Sequence, residues 1–426
     1  MIPISTPPLS AKLPQRFHHF RTFINRRVKW VRDAFLDTAV SKEKDLKQIF
    51  SFKNQIVSSP NKSLPLSALS PLKPQLDLPT TAIKFFQKYP SLFTQFQPCP
   101  SLPLHVKLTP EAVCLHKEEL EIHGLRTQQD DAVKRLAKFL MLTNARKLPL
   151  HIINRFKFDL GLPYNYVTSL LTDYPDYFQV CEIEDRVTNK GTLALELISW
   201  RKELAVPEMK RRACNGDLSS LKKGMCMRFS MNFPRGFDLE KRVKNWVEEW
   251  QELPYVSAYE NAFHLAPSSD LAEKWAVAVL HELLWLLVSK KTERENLFCL
   301  GDYLGFGDRF KKALVHHPGI FYVSNKIRTQ TVVLREAYRK DFLVEKHPLM
   351  GMRHRYIHLM NKSKDRGKRV GVVAFGSKSK RNVNLSNQKI RKEGNKYDLG
   401  DEEDSNRLSG SETEDVGSHE AMKMEV

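Results

Sequence analysis

Three stretches of this chain invite a catalytic reading. "HELLW" (His281 to Trp285) begins like a zinc-protease helix, in which two histidines at i and i+4 grip the metal and the Glu between them acts as base. Here the fifth position is Trp285, so the second ligand is missing and the stretch reads as part of a packed helix. Gly301, Gly305 and Gly307 resemble a phosphate loop in spacing. A nucleotide loop needs a strand before its glycines, and here the flanking pattern is helical on both sides. Asp130 and Asp131 stand ahead of an apolar helical run. Carboxylates there suit a helix N-terminus better than a metal pair. No Gly-x-Ser-x-Gly and no P-loop lysine motif occurs. These residues assemble no active site, and the expectation is a protein that is not an enzyme and has no cofactor and no metal.

Basic and aromatic residues, by contrast, do interleave. "NRRVKWVRDAFLD" sets Arg26, Arg27, Lys29 and Arg32 around Trp30. "DRFKKALVHHP" places Arg309, Lys311 and Lys312 on one short helix, and the strands after it carry Lys326 and Arg328. Cationic groups beside aromatic platforms are what single-stranded nucleic acid requires. A helix that enters a DNA groove uses the same cations. Any one such residue is commonly just a solvated charge, but the balance is harder to set aside. The chain has 68 Lys and Arg against 49 Asp and Glu, net +19, even though its end from Asp398 to Val426 is strongly acidic. A body this basic calls for a polyanionic partner.

The elements that must position these residues come in repeats. "YPSLF" (Tyr89 to Phe93), "YPDYF" (Tyr174 to Phe178) and "HPGIF" (His317 to Phe321) are near-copies. "KSLPLSALSPLKPQLDLP" falls without a gap on "RKLPLHIINRFKFDLGLP", 84 positions later. Each copy reads as short helices, then a Pro-x-x-Phe step, then a hairpin such as "YFQVCEIEDRVTNKGTLALELI", whose Asn-Lys-Gly marks the turn. In "DDAVKRLAKFLMLTNA", acids open a helix whose apolar residues recur at helical spacing. Three helices followed by a hairpin is the order of a winged helix. The predicted fold is mostly α with small β-hairpins (α+β), built as tandem winged-helix-like modules; a helical-repeat solenoid is the alternative. Proline would stop the third helix and Phe93, Phe178 and Phe321 would form the repeat's core. The modules fall at about 40–115, 128–205 and 270–340. A bridging segment, 206–269, has Trp246 and Trp250 on one helix face.

The ends differ from the body. Residues 1 to 32 carry seven Lys or Arg and no acid, the signature of an organelle transit peptide, placed at 1–22. Residues 361–426 read as a disordered tail, basic and then acidic. Six scattered cysteines form no Cys-x-x-Cys pair, which argues against a disulfide framework or a zinc ribbon. No apolar run reaches the ~18 residues of a membrane-spanning helix, so no membrane insertion is expected.

Five stretches then carry a specific resemblance: "RVKWVRDAFLD", "LPYVSAYE", "HELLWLLVSKKTE", "HPGIFYVSNKIRTQTVVLREAY" and "LVEKHPLMGMRHRY". In this order they resemble the plant organelle RNA recognition (PORR) family, from about Arg27 to about Met360, within a domain placed at 23–360. The resemblance implies an imported, non-catalytic protein that binds organellar RNA and promotes splicing of group II introns in organellar transcripts, with other splicing factors as further candidate partners. It favours RNA over DNA, a choice composition leaves open; a DNA-binding winged-helix regulator of organellar transcription is the alternative. Ala258 stands where the family usually has Pro, and Ile327 follows Lys326 where it usually has Gly. The Arg-rich leader, with its paired histidines, leans toward the mitochondrion, with the chloroplast as alternative.

Overall fold

The computed structural model describes residues 28–373 apart from 70, 186–188, 215–223 and 235–236. The leader, Arg26, Arg27 and the acidic end lie outside the described residues. A short helix, α1 (Ala34–Ser41), is followed by the first module: α2 (Leu46–Ser58), β1 (Ser63–Pro65), the turns α3 (Leu72–Gln75) and α4 (Ala82–Gln87), then β2 (Phe93–Phe96) and β3 (His105–Leu108). Helix α5 (Pro110–Gly124) leads to the second module: α6 (Arg126–Met141), β4 (Lys147–Pro149), α7 (Leu150–Phe156), α8 (Tyr166–Ser169), β5 (Phe178–Glu184) and β6 (Gly191–Leu197). The bridge holds α9 (Glu208–Ala213) and α10 (Lys241–Gln251). The third module is α11 (Asp270–Leu286), β7 (Lys291–Glu293), α12 (Arg294–Leu304), α13 (Asp308–His316), β8 (Phe321–Ser324) and β9 (Thr331–Leu334). A small hairpin, β10 (Tyr338–Arg339) with β11 (Phe342–Leu343), precedes α14 (Pro348–Val373).

The three modules have one topology. Each sheet is antiparallel with the short strand first, the returning wing strand central and the Pro-x-x-Phe strand at the edge: β1-β3-β2, β4-β6-β5 and β7-β9-β8. The fold is α+β, and a purely helical solenoid has no place for these sheets. The motif phenylalanines open their strands, are buried, and stand opposite a leucine in the same register each time: Phe93 with Leu108, Phe178 with Leu197, Phe321 with Leu334. The short first strand of each sheet carries no sequence signal, since three residues are too few to show alternation. Pro149, which would suit a helix start, ends β4 and helix α7 begins one residue later.

Two further details recur at matching positions. The residue before each short strand adopts the left-handed conformation: Lys62 at φ 51°, Arg146 at 53° and Lys290 at 53°. Glycine is the usual occupant of such a turn, yet this chain places a cation there three times. The second detail is a clasp. Tyr89 donates its hydroxyl to Asp45 (2.7 Å), Tyr174 donates to Asp130 (2.6 Å) and His317 Nε2 meets Glu273 (2.8 Å). All three close a span of 44 residues, from the motif back to the acid on the module's first helix or its cap. Burial pushes the Tyr174 hydroxyl up to about 12 and the charge of Asp130 adds to it, so the group stays a donor. Asp130 and Asp131 therefore do not cap α6, which starts at Arg126; Asp130 serves the clasp and Asp131 pairs with Arg135 and with His347 at 3.3 Å.

The chain closes on itself at both ends of the domain. Helix α14 gives Met352, Tyr356, Leu359 and Met360 to the first module's core. It runs to Val373, so residues 361–373, expected to begin the disordered tail, continue this helix. Helix α1 buries Leu36 and Val40 against Tyr322 and Val333 of the third sheet, and Ile327 packs there too. That contact accounts for an apolar residue where the resemblance expects glycine. The second and third modules share one core with the bridge, whose Trp246 and Trp250 lie on the His317 ring.

The clasp makes a stability prediction. Tyr89→Phe keeps the ring and deletes the hydroxyl hydrogen bond that the half-buried Asp45 accepts. A hydrogen bond to a charged group is worth about 1.5–3 kcal/mol, and urea unfolding of the variant should show a loss of that size. An unchanged midpoint would make the clasp incidental.

Candidate nucleic-acid interface

The motif that resembled a metal site is instead a joint. Glu282, fully buried on α11, accepts from the Tyr259 hydroxyl (2.7 Å), the Glu208 backbone N–H (2.7 Å) and Lys138 of α6 (2.8 Å). Its neighbour His281 meets Glu336 at 2.8 Å, and Glu336 also takes Arg212 at 2.9 Å. "HELLW", "YVSAYE" and "LREAY" thus meet where the second module, the bridge and the third module join. Burial, followed by the Glu282 charge, drives the Tyr259 hydroxyl well above its ordinary value. Gly305 caps α12 in the left-handed conformation (φ 76°), and its neighbours are helix and turn, not a phosphate loop.

The proposed cations fall into two neighbourhoods. On α13, exposed Lys311 pairs with Asp308 at 2.8 Å, exposed Lys312 lies beside it, and half-buried Arg309 sits 5.7 Å over the Phe263 ring. The second neighbourhood was not legible as one unit. Trp30 donates its indole N–H to the Val323 carbonyl (3.1 Å) and stacks on Tyr322, which brings the N-terminal arm onto the third sheet. Buried Asp37 then gathers Arg32 (3.0 Å), Ser324 (2.7 Å) and, at 4.0 Å, Lys326 of the wing. Lys29 is exposed on the same arm, and Trp30 remains half exposed. Arg328, at the wing tip, reaches Asp77 of the first module at 2.5 Å. Helix and wing cations therefore have different partners in the fold, and Trp30, Arg32 and Lys326 are the group the structure assembles.

A further feature carries no sequence signal at all. A cleft of about 280 Å³ lies between the end of α6, the strand exit at Trp200 and the bridge; Asn144, Arg146, Asn261 and Phe263 also line it. Its lining comes from separate segments of the chain, so no local pattern could mark it.

A family model described as the plant organelle RNA recognition domain matches residues 31–365. The chain belongs to that family. It is 38% identical over 349 residues to Protein WHAT'S THIS FACTOR 9, mitochondrial, of Arabidopsis thaliana, which covers 80% of this chain and 87% of that relative. It is 31% identical over 332 residues to Protein WHAT'S THIS FACTOR 1, chloroplastic, of Zea mays, covering 76% of this chain and 65% of the relative. Protein ROOT PRIMORDIUM DEFECTIVE 1 of Arabidopsis thaliana is 29% identical over 359 residues, with coverage of 80% and 84%. No solved structure matches the chain.

For a family whose domain is described by RNA recognition, the two cationic neighbourhoods can be told apart. Each phosphate contact with single-stranded nucleic acid contributes about −0.7 to the slope of log K against log salt. Lys311→Gln with Lys312→Gln should flatten that slope by about 1.4 if α13 carries the backbone. Arg32→Gln with Lys326→Gln should do the same if the arm and wing carry it. Fluorescence anisotropy over a salt series reads both. A pair that leaves slope and affinity unchanged marks a face the RNA does not touch.

Proposed function

We propose that this protein is a non-catalytic RNA-binding factor, imported into mitochondria, that promotes splicing of group II introns in organellar transcripts. The observation that carries the reading is the family match across nearly all of the described domain. The charge supports it: a net +19 suits a polyanion. The three modules add helices and wings that present cations, and Trp30 offers an exposed ring beside them. Phosphate contacts of this kind position an RNA without specifying its sequence. Mitochondrial import is supported by the acid-free, Arg-rich leader and by the printed name of the Arabidopsis relative at 38% identity. Splicing of group II introns rests on the resemblance alone.

Two measurements test this. RNA co-immunoprecipitation from isolated mitochondria, followed by sequencing, should enrich intron-containing transcripts. Competition at one salt concentration should rank single-stranded or intron RNA above duplex DNA; the reverse order would favour the winged-helix DNA regulator. A fluorescent fusion of residues 1 to 40 should enter mitochondria, and a plastid signal would move the site of action to the chloroplast.

A further inference from the structure

We propose that the cleft between the second module and the bridge receives one unpaired nucleotide of a bound RNA, with its base against Trp200 and its phosphate on Arg146. The proposal rests on the RNA-binding reading and adds where a base is held.

Arg146 is the reason to look there. The modules place a left-handed cation at matching positions, Lys62, Arg146 and Lys290. In the first module Lys62 turns back and donates to the Val57 carbonyl at 2.6 Å. In the third, Lys290 donates to the Trp285 carbonyl at 2.7 Å. Both carbonyls lie five residues upstream, at the end of the module's first long helix, where backbone acceptors lack partners. The matching residue in the second module is Met141. Among the described residues Arg146 makes no such bond and has no ion-pair partner; its side chain lines the cleft together with Met141. One of three equivalent cations is thus left available. It is also the arginine, whose planar fork suits phosphate better than an ammonium does.

The rest of the cleft suits a base. Trp200, 38% exposed, stands at the rim, and the buried rings of Trp275 and Phe306 with half-buried Phe263 lie further in. Trp275 and Phe263 meet edge to face at 4.9 Å, so those inner rings are already held by packing. An exposed tryptophan is a stacking surface that any base can use. Exposed Asn144 and Asn261 bring amide donors and acceptors to the edge. Asn261 spends one acceptor on the Phe263 N–H at 3.2 Å, which leaves its amide donors for a ligand. Arg309 lies over the Phe263 ring, and among the described residues one of its terminal nitrogens, Nη1, is buried without a hydrogen-bond partner. Glu260 on the lining would repel a second phosphate, so the site fits one nucleotide of a chain and not a free di- or triphosphate.

The full chain is titrated with a fluorescent single-stranded A12 RNA and, separately, with AMP. Trp200→Ala should weaken A12 binding about 5- to 150-fold, the range for losing one base stack. Trp200→Phe should keep most of the affinity, and Arg146→Gln should lower the salt slope by about 0.7. A 4-thiouridine RNA cross-linked to the unaltered protein should label peptides containing Trp200 or Phe263; this readout does not depend on any variant folding. Wild-type binding to A12 with no effect of either substitution and no label in these peptides overturns the cleft and leaves the RNA reading standing. AMP binding as tight as A12 also overturns it, as a free-nucleotide site. Failure of the wild type to bind any RNA, while AMP does not bind either, overturns both.

Discussion

Each module of this protein is closed by a hydrogen bond between a Tyr or His on the Pro-x-x-Phe motif and a carboxylate 44 residues earlier. The bond links the end of the last short helix to the start of the first long one. It does so where proline has ended the helix and a phenylalanine is about to enter the sheet. The long helix, the left-handed turn, the short strand and the helix pair lie between those two points, and the two wing strands follow. The acid can be Asp or Glu and the donor a phenol or an imidazole, because only the span and the polarity of the bond are constrained. Burial of the donor raises the cost of leaving that bond unmade.

Closed modules still have to be joined, and the joint at Glu282 does this with charge. Three donors from three segments converge on one buried carboxylate. Removing one partner of such a group leaves an uncompensated buried charge, which costs about 3–5 kcal/mol. The consequence for function is placement. Lys138 lies on α6, whose end lines the cleft, and Tyr259 lines it directly, so the joint at Glu282 ties together two of the segments that form the cleft. The termini of the domain are tied in the same spirit. Helix α1 lies on the third sheet and α14 in the first core, so the arm with Trp30 and Arg32 reaches the wing with Lys326.

The electrostatics divide by depth. Buried cations such as Lys53, Lys274 and Arg353 are held by acids or carbonyls and serve the fold. Exposed ones on α13, the arm and the wing are either loosely paired or solvated, and a polyanion can recruit them at small cost. A surface of this kind binds phosphate chains broadly. Selectivity then needs a place where a base leaves the stack and meets aromatic and amide groups, which is the role argued for the cleft.

What the amino-acid order determined by itself was local and periodic. The 84-residue self-match, the Pro-x-x-Phe steps, the hairpin alternation and the basic composition were enough for three winged modules in an α+β chain, and five motifs were enough for the family. The burial of Phe93, Phe178 and Phe321 follows from the same local logic, since a phenylalanine opening a strand after a stopped helix must face the sheet's packed side. Only the tertiary structure decided the rest. Three-residue strands show no period, so β1, β4 and β7 were invisible. Asp130 looked like a cap because the clasp partner, Tyr174, lies 44 residues away. Glu282 read only as part of a packed helix because its partners come from α6 and from two separate parts of the bridge. Nothing in the sequence singles out Arg146; among the described residues it lacks the backbone bond that Lys62 and Lys290 make. Contacts between distant segments leave no spacing to read, and both the joint and the cleft are made of nothing else.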